Sequence, residues 1–428
     1  MNDTTRGNLS AKSLGRRALL KGAGAAVPGA ALGPLIKTSP VGAAGVVRLG
    51  FPSSLTGPFS PWILSAKRAI DLVVDEVNAA GGIKSLGGAK FEVLYADTQS
   101  DLSVHQREVE KMITVNKVRF LISGASALEL VASAISEKHE AVMIGFGTTD
   151  ETTNRGYKYY FREIERASDS ARGCLEFLAW MATGGGKQFK NIGILHSDDA
   201  YGALSGRTWE AEVKKKPEWK LVERIAYSPK LVDATDHVSR LKGQDVEVLL
   251  QATALDAGIV VRRAMKTVNF NPQADLHSLG APSVASFIQT LGRDADHVLY
   301  GSGFAPSMIA KMPKNVQDFN ARFNTRYNLG IDHNATSAAT IVGIYVDALE
   351  RAKSSDTDKV RDAIEKTELK IGDTPYILSD VKFDAAHNNL GATTKIHQAE
   401  NKAFRTVWPE RFKIAEAVWP APTWRDRT

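Results

Sequence analysis

From Val46 onward, short apolar runs alternate with stretches of helical periodicity, and the alternation restarts after Glu165. "VVRLGFP" (46–52) reads as a strand. "SAKRAIDLVVDEVNAA" (65–80) puts Ala66, Ala69, Ile70, Val73, Val74 and Val77 on one helical face, and Gly81-Gly82 ends it. "FEVLYAD", "VRFLISG" and "AVMIGFG" read as further strands, separated by the helical stretches "VHQREVEKMITVN" and "ALELVASAISEKH". Crossover helices between strands of this kind predict an α/β fold with a mainly parallel sheet. The second round runs through "NIGILHS", "LVERIAY", "EVLLQAT", "ADLHSLG" and "HVLYGSG". Three helical stretches follow between Val316 and Lys366, then a C-terminal strand region. At 428 residues the chain is too long for one ordinary core.

Open parallel sheets bind ligands at the carboxyl ends of their strands. The strand exits here are "FPSSLTGPFSPW", "YADTQSD", "ISGASAL", "FGTTDETT" and "HSDDAYG", all of them polar, small or aromatic. In "AVMIGFGTTDETTNRGYKYYFREI" (141–164) an apolar run stops at Gly147, a row of hydroxyls and acids follows, and the aromatics return at Tyr157. As one of a set of exits, this stretch reads as a hydrogen-bonding rim.

The N-terminus reads as an export signal. Arg16-Arg17 in "SLGRRALLKG" stand before a modest Gly/Ala-rich apolar region, Gly22 to Ile36, and "VGAAG" (41–45) offers small residues for cleavage after Ala44. The arrangement resembles the twin-arginine export signature, with Gly15 and Leu19 at positions where Ser and Phe are usual. Residues 1–44 carry six of the Lys and Arg residues against Asp3, so removing them takes the net charge from +6 to +1. That weakens any case for nucleic-acid binding. The single Cys174 allows no intrachain disulfide, and no Cys follows the apolar region to carry a lipid anchor. The expectation is a soluble exported protein.

Catalytic patterns are missing. "HEAVM" (139–143) lacks the second His of a zinc-protease helix, and the nine His residues show no metal-ligand spacing. "GGGKQ" lacks the Ser/Thr and spacing of a phosphate loop, and no Gly-x-Ser-x-Gly elbow occurs. Cys174 sits on an apolar helix face, where it reads as core. The balance points to a binding protein with no metal and no cofactor.

"LTGPFSPW" (55–62), "DEVNAAGGI" (75–83), "YADTQSD" (95–101), "GTTDETTNRGYKYYFR" (147–162) and "HSDDAYG" (196–202), in this order, resemble the periplasmic solute-binding proteins of ABC importers, in the branched-chain amino acid-binding group. The tail "TVWPERFKIAEAVWPAPTW" is similar to the ends of many such proteins. The resemblance spans nearly all of the chain after residue 44. It implies a type I periplasmic-binding fold, two Rossmann-like lobes with three crossovers. One lobe is expected at 45–165 plus 300–378, the other at 166–299 plus 379–428. It also implies a cofactor-free, non-enzymatic, monomeric protein that captures a small solute and docks on inner-membrane permease subunits. A sensory module for a separate receptor is the alternative. A Rossmann-type enzyme is a third, disfavoured because no Gly fingerprint follows the first strand.

The family's ligand positions carry over residue by residue. The carboxylate-binding hydroxyls match Ser126, in "SGASAL", and Thr148 and Thr149, in "FGTTD". Ser126 precedes or opens a helix whose free N–H groups and positive dipole end suit an anion; the alternative reading of Ser126 and Thr149 is that they cap their own helices. Phe59 and Trp62 fall in a loop that walls the ligand side chain or plugs the core. Tyr201 matches the tyrosine that the second lobe brings down on closure, while Asp198 and Asp199 cap its helix. The usual acid for a ligand ammonium is absent from "ADLHSLGAPS", and Thr253 or Ala254 stands where a second tyrosine is usual. Asp256 is the substitute, or else a helix N-cap. Burying an unpaired ammonium costs several kcal/mol. A small organic acid, aromatic acid or amide is therefore expected ahead of an aliphatic amino acid.

Replacing Arg16 and Arg17 together by Lys is expected to leave precursor in the cytoplasm. Cell fractionation and immunoblotting check it; mature protein at normal periplasmic yield would contradict the twin-arginine assignment.

Overall fold

The computed structural model describes residues 45–427. Arg16, Arg17 and the proposed cleavage point lie outside the described residues. The first sheet contains β1 (Val46–Ser53), β2 (Lys90–Asp97), β3 (Phe120–Ser123), β4 (Val142–Gly145) and β5 (Tyr160–Arg162), in the order β2-β1-β3-β4-β5. Every pairing in it is parallel. Its crossovers are α1 (Ser60–Ala79), α2 (Leu102–Thr114), α3 (Ser126–Lys138) and the single turn α4 (Glu151–Asn154).

The chain then passes to a second sheet. Helices α5 (Ala167–Thr183), α6 (Ala200–Val213), α7 (Thr235–Gly243), α8 (Leu255–Thr267) and α9 (Ala285–Leu291) alternate with strands β6 (Asn191–Ser197), β7 (Lys220–Tyr227), β8 (Val248–Ala252), β9 (Ala274–Ser278) and β10 (Val298–Ser302). These five strands pair in parallel. A return to the first lobe supplies α10 (Lys314–Tyr327), α11 (His333–Ala352), α12 (Thr357–Glu365) and the small antiparallel ladder of β11 (Glu368–Leu369) with β12 (Val381–Lys382). Finally β13 (Lys395–Glu400) and β14 (Ala403–Trp408) extend the second sheet antiparallel, giving β14-β13-β10-β9-β8-β6-β7.

Two details refine the expected division. Strand β10, whose residues 300–302 the sequence reading gave to the first lobe, belongs to the second sheet. Residues just after 379 still touch the first sheet: Asn388 bridges Arg162, and the Phe383 ring stands edge-on to Phe161 at 5.1 Å. The alternation of apolar runs marks strands, but which sheet a strand joins depends on partners distant in sequence.

Each lobe has its own core. In the first, α11 is buried along almost its whole length, from His333 to Leu349. Its small residues Ala335, Ala338 and Ala339 pack in one cluster with Ala66, Ala69 and Ile70 of α1, and the Tyr345 hydroxyl donates to the Leu121 carbonyl at 2.7 Å. A helix apolar on all sides is one surrounded by protein. Cys174 is fully buried in the second lobe, where its Sγ donates to the His277 carbonyl at 3.6 Å. Burial pushes its thiol up, as suits a core residue rather than a nucleophile.

The second lobe also buries an ion pair. Arg262 Nη1 lies 2.9 Å from Asp275 Oδ2, with both side chains nearly inaccessible. Arg262 also donates to the carbonyls of Asp294 (2.7 Å) and Asp296 (2.9 Å), and the Trp424 ring from the tail covers it at 4.5 Å. Burial alone would raise Asp275; His277, Arg262 and Gln251 outweigh it and hold the carboxyl at about 2. Asp275→Asn leaves a buried guanidinium without its counter-charge and is expected to cost about 3–5 kcal/mol in urea unfolding. The carboxylate's stabilisation is complete above an unfolded pKa of about 3.9. It is lost as the pH falls through about 2.

Candidate functional site

The carboxyl ends of the two sheets meet around a cavity of about 260 Å³. The first lobe contributes the start of α1, with Phe59, Trp62 and Ile63. It also contributes Ser126 and Ala127 at the start of α3, and Phe146, Gly147 and Thr148 beyond β4. The second lobe contributes Tyr201 on α6, Thr253 and Ala254 beyond β8, and Leu279 and Gly280 beyond β9. Five of the expected residues, Phe59, Trp62, Ser126, Thr148 and Tyr201, thus share one cavity.

Trp62 does not sit in the loop; Phe59 closes it, in the turn just before α1. Pro61 is in the first turn of α1, Phe59 is the N-cap and Trp62 belongs to the helix. A Pro at the start of a helix costs no hydrogen bond, so the proline that suggested a turn begins α1 instead.

One end of the cavity is built on α3. The first N–H groups of any helix lack intrahelical acceptors, and those of Ser126 and Ala127 belong to residues on the cavity wall. Ser126 does not cap α3; the N-cap is Ala125, held at φ 69°. That left-handed conformation is strained for a residue with a Cβ. Instead, Ser126 Oγ accepts from the N–H groups of Thr148 (3.0 Å) and Thr149 (3.1 Å) and lies 3.4 Å from Thr148 Oγ1. One hydroxyl thereby ties the two strand exits together.

Thr149 turns the other way. It is 1% exposed, is not on the cavity wall, and faces a neighbouring polar cleft with Asp150, Glu151 and Asn154, opposite Asp198, Asp199 and Arg207. Its carbonyl accepts from Arg162 Nη2 at 2.5 Å. Arg162 also donates to the Gly147 carbonyl at 2.6 Å and to the hydroxyls of Thr152 and Thr153. The later hydroxyls of "TTDETT" therefore satisfy a buried guanidinium, and Thr148 alone of that row meets the cavity. Beneath the loop, Glu129 accepts from Gly147 N at 2.8 Å and from the Tyr160 hydroxyl. Burial pushes its carboxyl up, opposed by Arg162.

On the facing wall, Asp199 caps α6, accepting from Gly202 N at 2.8 Å, while its other oxygen accepts from Ser197 Oγ at 2.7 Å. The Tyr201 hydroxyl donates to the Ser278 carbonyl. Leu279 and Gly280 both have positive φ, 52° and 69°. Asp256 is an exposed residue in the first turn of α8, away from the cavity wall, and is not the N-cap, which is Ala254. As an acid at a helix start it favours the helix dipole.

His333 and Asn334, at the start of α11, complete the cavity, and the sequence reading missed them. Asp332, which caps this helix by accepting from Ala335 N, is the local signal for its start, but only the return of the chain to the first lobe places that start at the cleft.

The chain matches the family described as periplasmic binding protein over residues 46–403. It belongs to that family. Leu/Ile/Val-binding protein homolog 8 of Brucella suis biovar 1 is 26% identical over 402 residues, 91% of this chain and 97% of that one. Leu/Ile/Val-binding protein homolog 7 of Brucella abortus is 23% identical over 382 residues, 87% and 94% of the two chains. Among solved structures, the branched-chain amino acid transporter substrate-binding protein LivJ of Streptococcus pneumoniae, in complex with isoleucine, superposes with a TM-score of 0.73. It is 18% identical and covers 88% of this chain and 100% of its own. The leucine-binding protein LivK of Thermotoga maritima gives a TM-score of 0.72 at 17% identity, covering 84% and 97%. The fold is that of these type I periplasmic-binding structures, two Rossmann-like lobes with three crossovers.

Gly280 tests the second wall. A Cβ there would lie 2.4 Å from the Thr253 carbonyl oxygen and 3.1 Å from the Tyr201 hydroxyl. Gly280→Ala is expected to shift this turn at a cost of about 1–3 kcal/mol and to weaken solute binding in calorimetry. Unchanged affinity would show that the turn does not shape the site.

Proposed function

We propose that this chain is the periplasmic ligand-capturing component of an ABC importer and delivers a small organic solute to membrane permease subunits. The observation that carries this reading is the cavity itself: Ser126 and Thr148 of one lobe face Tyr201 and Gly280 of the other across it. Family membership supports the transport role. The export signal, with Arg16-Arg17, supports delivery to the periplasm, where the protein acts as a monomer, without a cofactor and without turnover of its ligand.

The ligand class we favour is an organic or aromatic acid, or an amide. Its carboxylate or carbonyl would meet Ser126, Ala127 and Thr148 at the positive end of α3. Its body would lie against Phe59, Trp62 and Tyr201. Asp199 is the acidic side chain on the wall among the described residues, and both its oxygens already accept hydrogen bonds. An ammonium would need that cap to break. An aliphatic amino acid is the second reading, supported by the names of the Brucella relatives and by the isoleucine in the Streptococcus protein.

Trp62 fluorescence and thermal shift test the proposal on the chain from residue 45. A true ligand at 100 times its Kd adds about 2.7 kcal/mol of stability. Ser126→Ala is expected to lose about 1.5–3 kcal/mol of binding, roughly tenfold or more in Kd. Consumption of the solute would overturn the binding-protein reading. Leucine or valine as the sole stabilising class would overturn the ranking of ligands.

A further inference from the structure

Among the described residues, the second lobe brings four polar side chains to the cavity wall: Asp199, Tyr201, Thr253 and Ser283. Each is already engaged within the protein. Asp199 accepts from Gly202 N at 2.8 Å with one oxygen and from Ser197 Oγ at 2.7 Å with the other. The Tyr201 hydroxyl donates to the Ser278 carbonyl. A Cβ on Gly280 would lie 3.1 Å from that hydroxyl, so the glycine turn packs over it. Burial accordingly pushes the Tyr201 pKa up. Ser283 Oγ donates to the Gly280 carbonyl at 2.6 Å. Thr253 is fully buried, with Oγ1 3.4 Å from His277 Nδ1.

Main-chain acceptors of the same wall are engaged as well. The carbonyls of Asp199, Thr253 and Ala254 accept from the N–H groups of Ala203 (2.9 Å), Ala281 (2.8 Å) and Gly258 (2.9 Å). The Gly280 carbonyl takes the Ser283 N–H at 3.0 Å in addition to the hydroxyl. Ala200, Ala254, Leu279 and the Tyr201 ring bring carbon to this wall. The first lobe is built differently. On α3 the N–H groups of Leu128 and Glu129 both donate to the Ala125 carbonyl at 3.0 Å. Those of Ser126 and Ala127, one turn nearer the cavity, have no acceptor among the described residues. One lobe therefore offers open donors, and the other offers acceptors that each hold a donor already.

We infer that the second-lobe wall sets specificity: the site takes a monocarboxylate whose body carries no N–H or O–H where it meets Tyr201, Ala254 and Leu279. This deepens the reading given under "Proposed function" and rests on it. The acid end is an acceptor and meets donors at α3. An N–H or O–H on the body leaves water for a wall whose acceptors are engaged, and a buried donor without a partner is destabilising. The penalty falls on an ammonium, a hydroxyl and a body carboxamide alike. An ether or ketone oxygen adds no donor and escapes it. A second carboxylate on the body meets the negative charge of Asp199. Tyr201 acts here through its ring, while its hydroxyl occupies the Ser278 carbonyl and so keeps that acceptor from the solute.

Calorimetry on the chain from residue 45 tests this with pairs of acids that differ in one donor group. The pairs are 4-methylpentanoate against leucine, 3-phenylpropanoate against phenylalanine, and 4-methoxybenzoate against 4-hydroxybenzoate. The expected result is that in every pair that binds, the donor-free member binds about tenfold more tightly or better, within the scale on which an apolar pocket rejects an added hydroxyl. Tyr201→Phe keeps the ring and takes the hydroxyl donor from the Ser278 carbonyl. Ser283→Ala takes the hydroxyl donor from the Gly280 carbonyl. Each change frees acceptor capacity on the wall. Tyr201→Phe is expected to reduce the preference to less than about threefold, and Ser283→Ala to reduce it in part. A merely structural role would weaken both members of a pair alike, so a preference unchanged in both variants overturns the inference. Leucine, phenylalanine or 4-hydroxybenzoate binding as tightly as its donor-free partner also overturns it, and leaves the capture of a small acid standing. Failure of all six probes overturns the ligand class proposed above as well.

Discussion

The guanidinium of Arg162 lies buried beneath the loop that meets the cavity, and its hydrogen bonds decide the shape of that loop. It holds the carbonyls of Gly147 and Thr149 and the hydroxyls of Thr152 and Thr153. A buried cation without such partners would be prohibitively unstable, so the chain from Gly147 to Thr153 has little freedom. The same residue is the last of β5, paired with Gly145. Its N–H donates to the His387 carbonyl at 2.9 Å, and its carbonyl accepts from Asn389 N at 3.1 Å. One side chain and one peptide unit thus join the sheet edge, the binding loop and the last passage between lobes. The glycines of this region follow from the same packing. A Cβ on Gly145 or Gly147 would meet the Glu129 carboxyl within 2.5 or 2.8 Å.

The passages between the lobes are unusually rich in buried charge. Glu163 and Glu165 lie on the first and Lys395 at the end of the third, all 5% exposed or less. Burial pushes Glu163 up to about 7, eased by the hydroxyl of Ser379, which donates to it at 2.5 Å. Burial pushes Lys395 down to about 8, opposed by Glu165. Opposite charges that share a low-dielectric region hold each other ionised. The cluster joins the first and third passages, and Ile164, between the two glutamates, lines the cavity.

Backbone strain concentrates at the same place. Ala125 and Leu279 carry positive φ without being glycine, one on each side of the cavity. Each follows a strand end and re-aims the chain into the cleft. Residues held in such conformations need surrounding structure to enforce them, and here the enforcement comes from Ser126 on one side and the packed Gly280 turn on the other.

The seven candidate ligand residues came from the family resemblance, and five of them line the cavity. Periodicity was enough to read the alternation of strands and helices, the parallel sheets and the strand exits that surround that cavity. Those properties are local: an apolar run or a helical stripe carries its information within ten or so residues. Tertiary structure decided what depends on distant partners. Trp62 joined a helix because Pro61 occupies its first turn. Thr149 turned from the cavity because Arg162, thirteen residues later, claims its carbonyl. Asp256 stayed in solvent although Ala254, the N-cap two residues before it, lines the cavity, because the first turn of α8 carries it to an exposed position. His333 and Asn334 entered the site because a helix beginning about 170 residues after β5 returns to pack on the first sheet, and no local pattern in a chain records where such a return will dock.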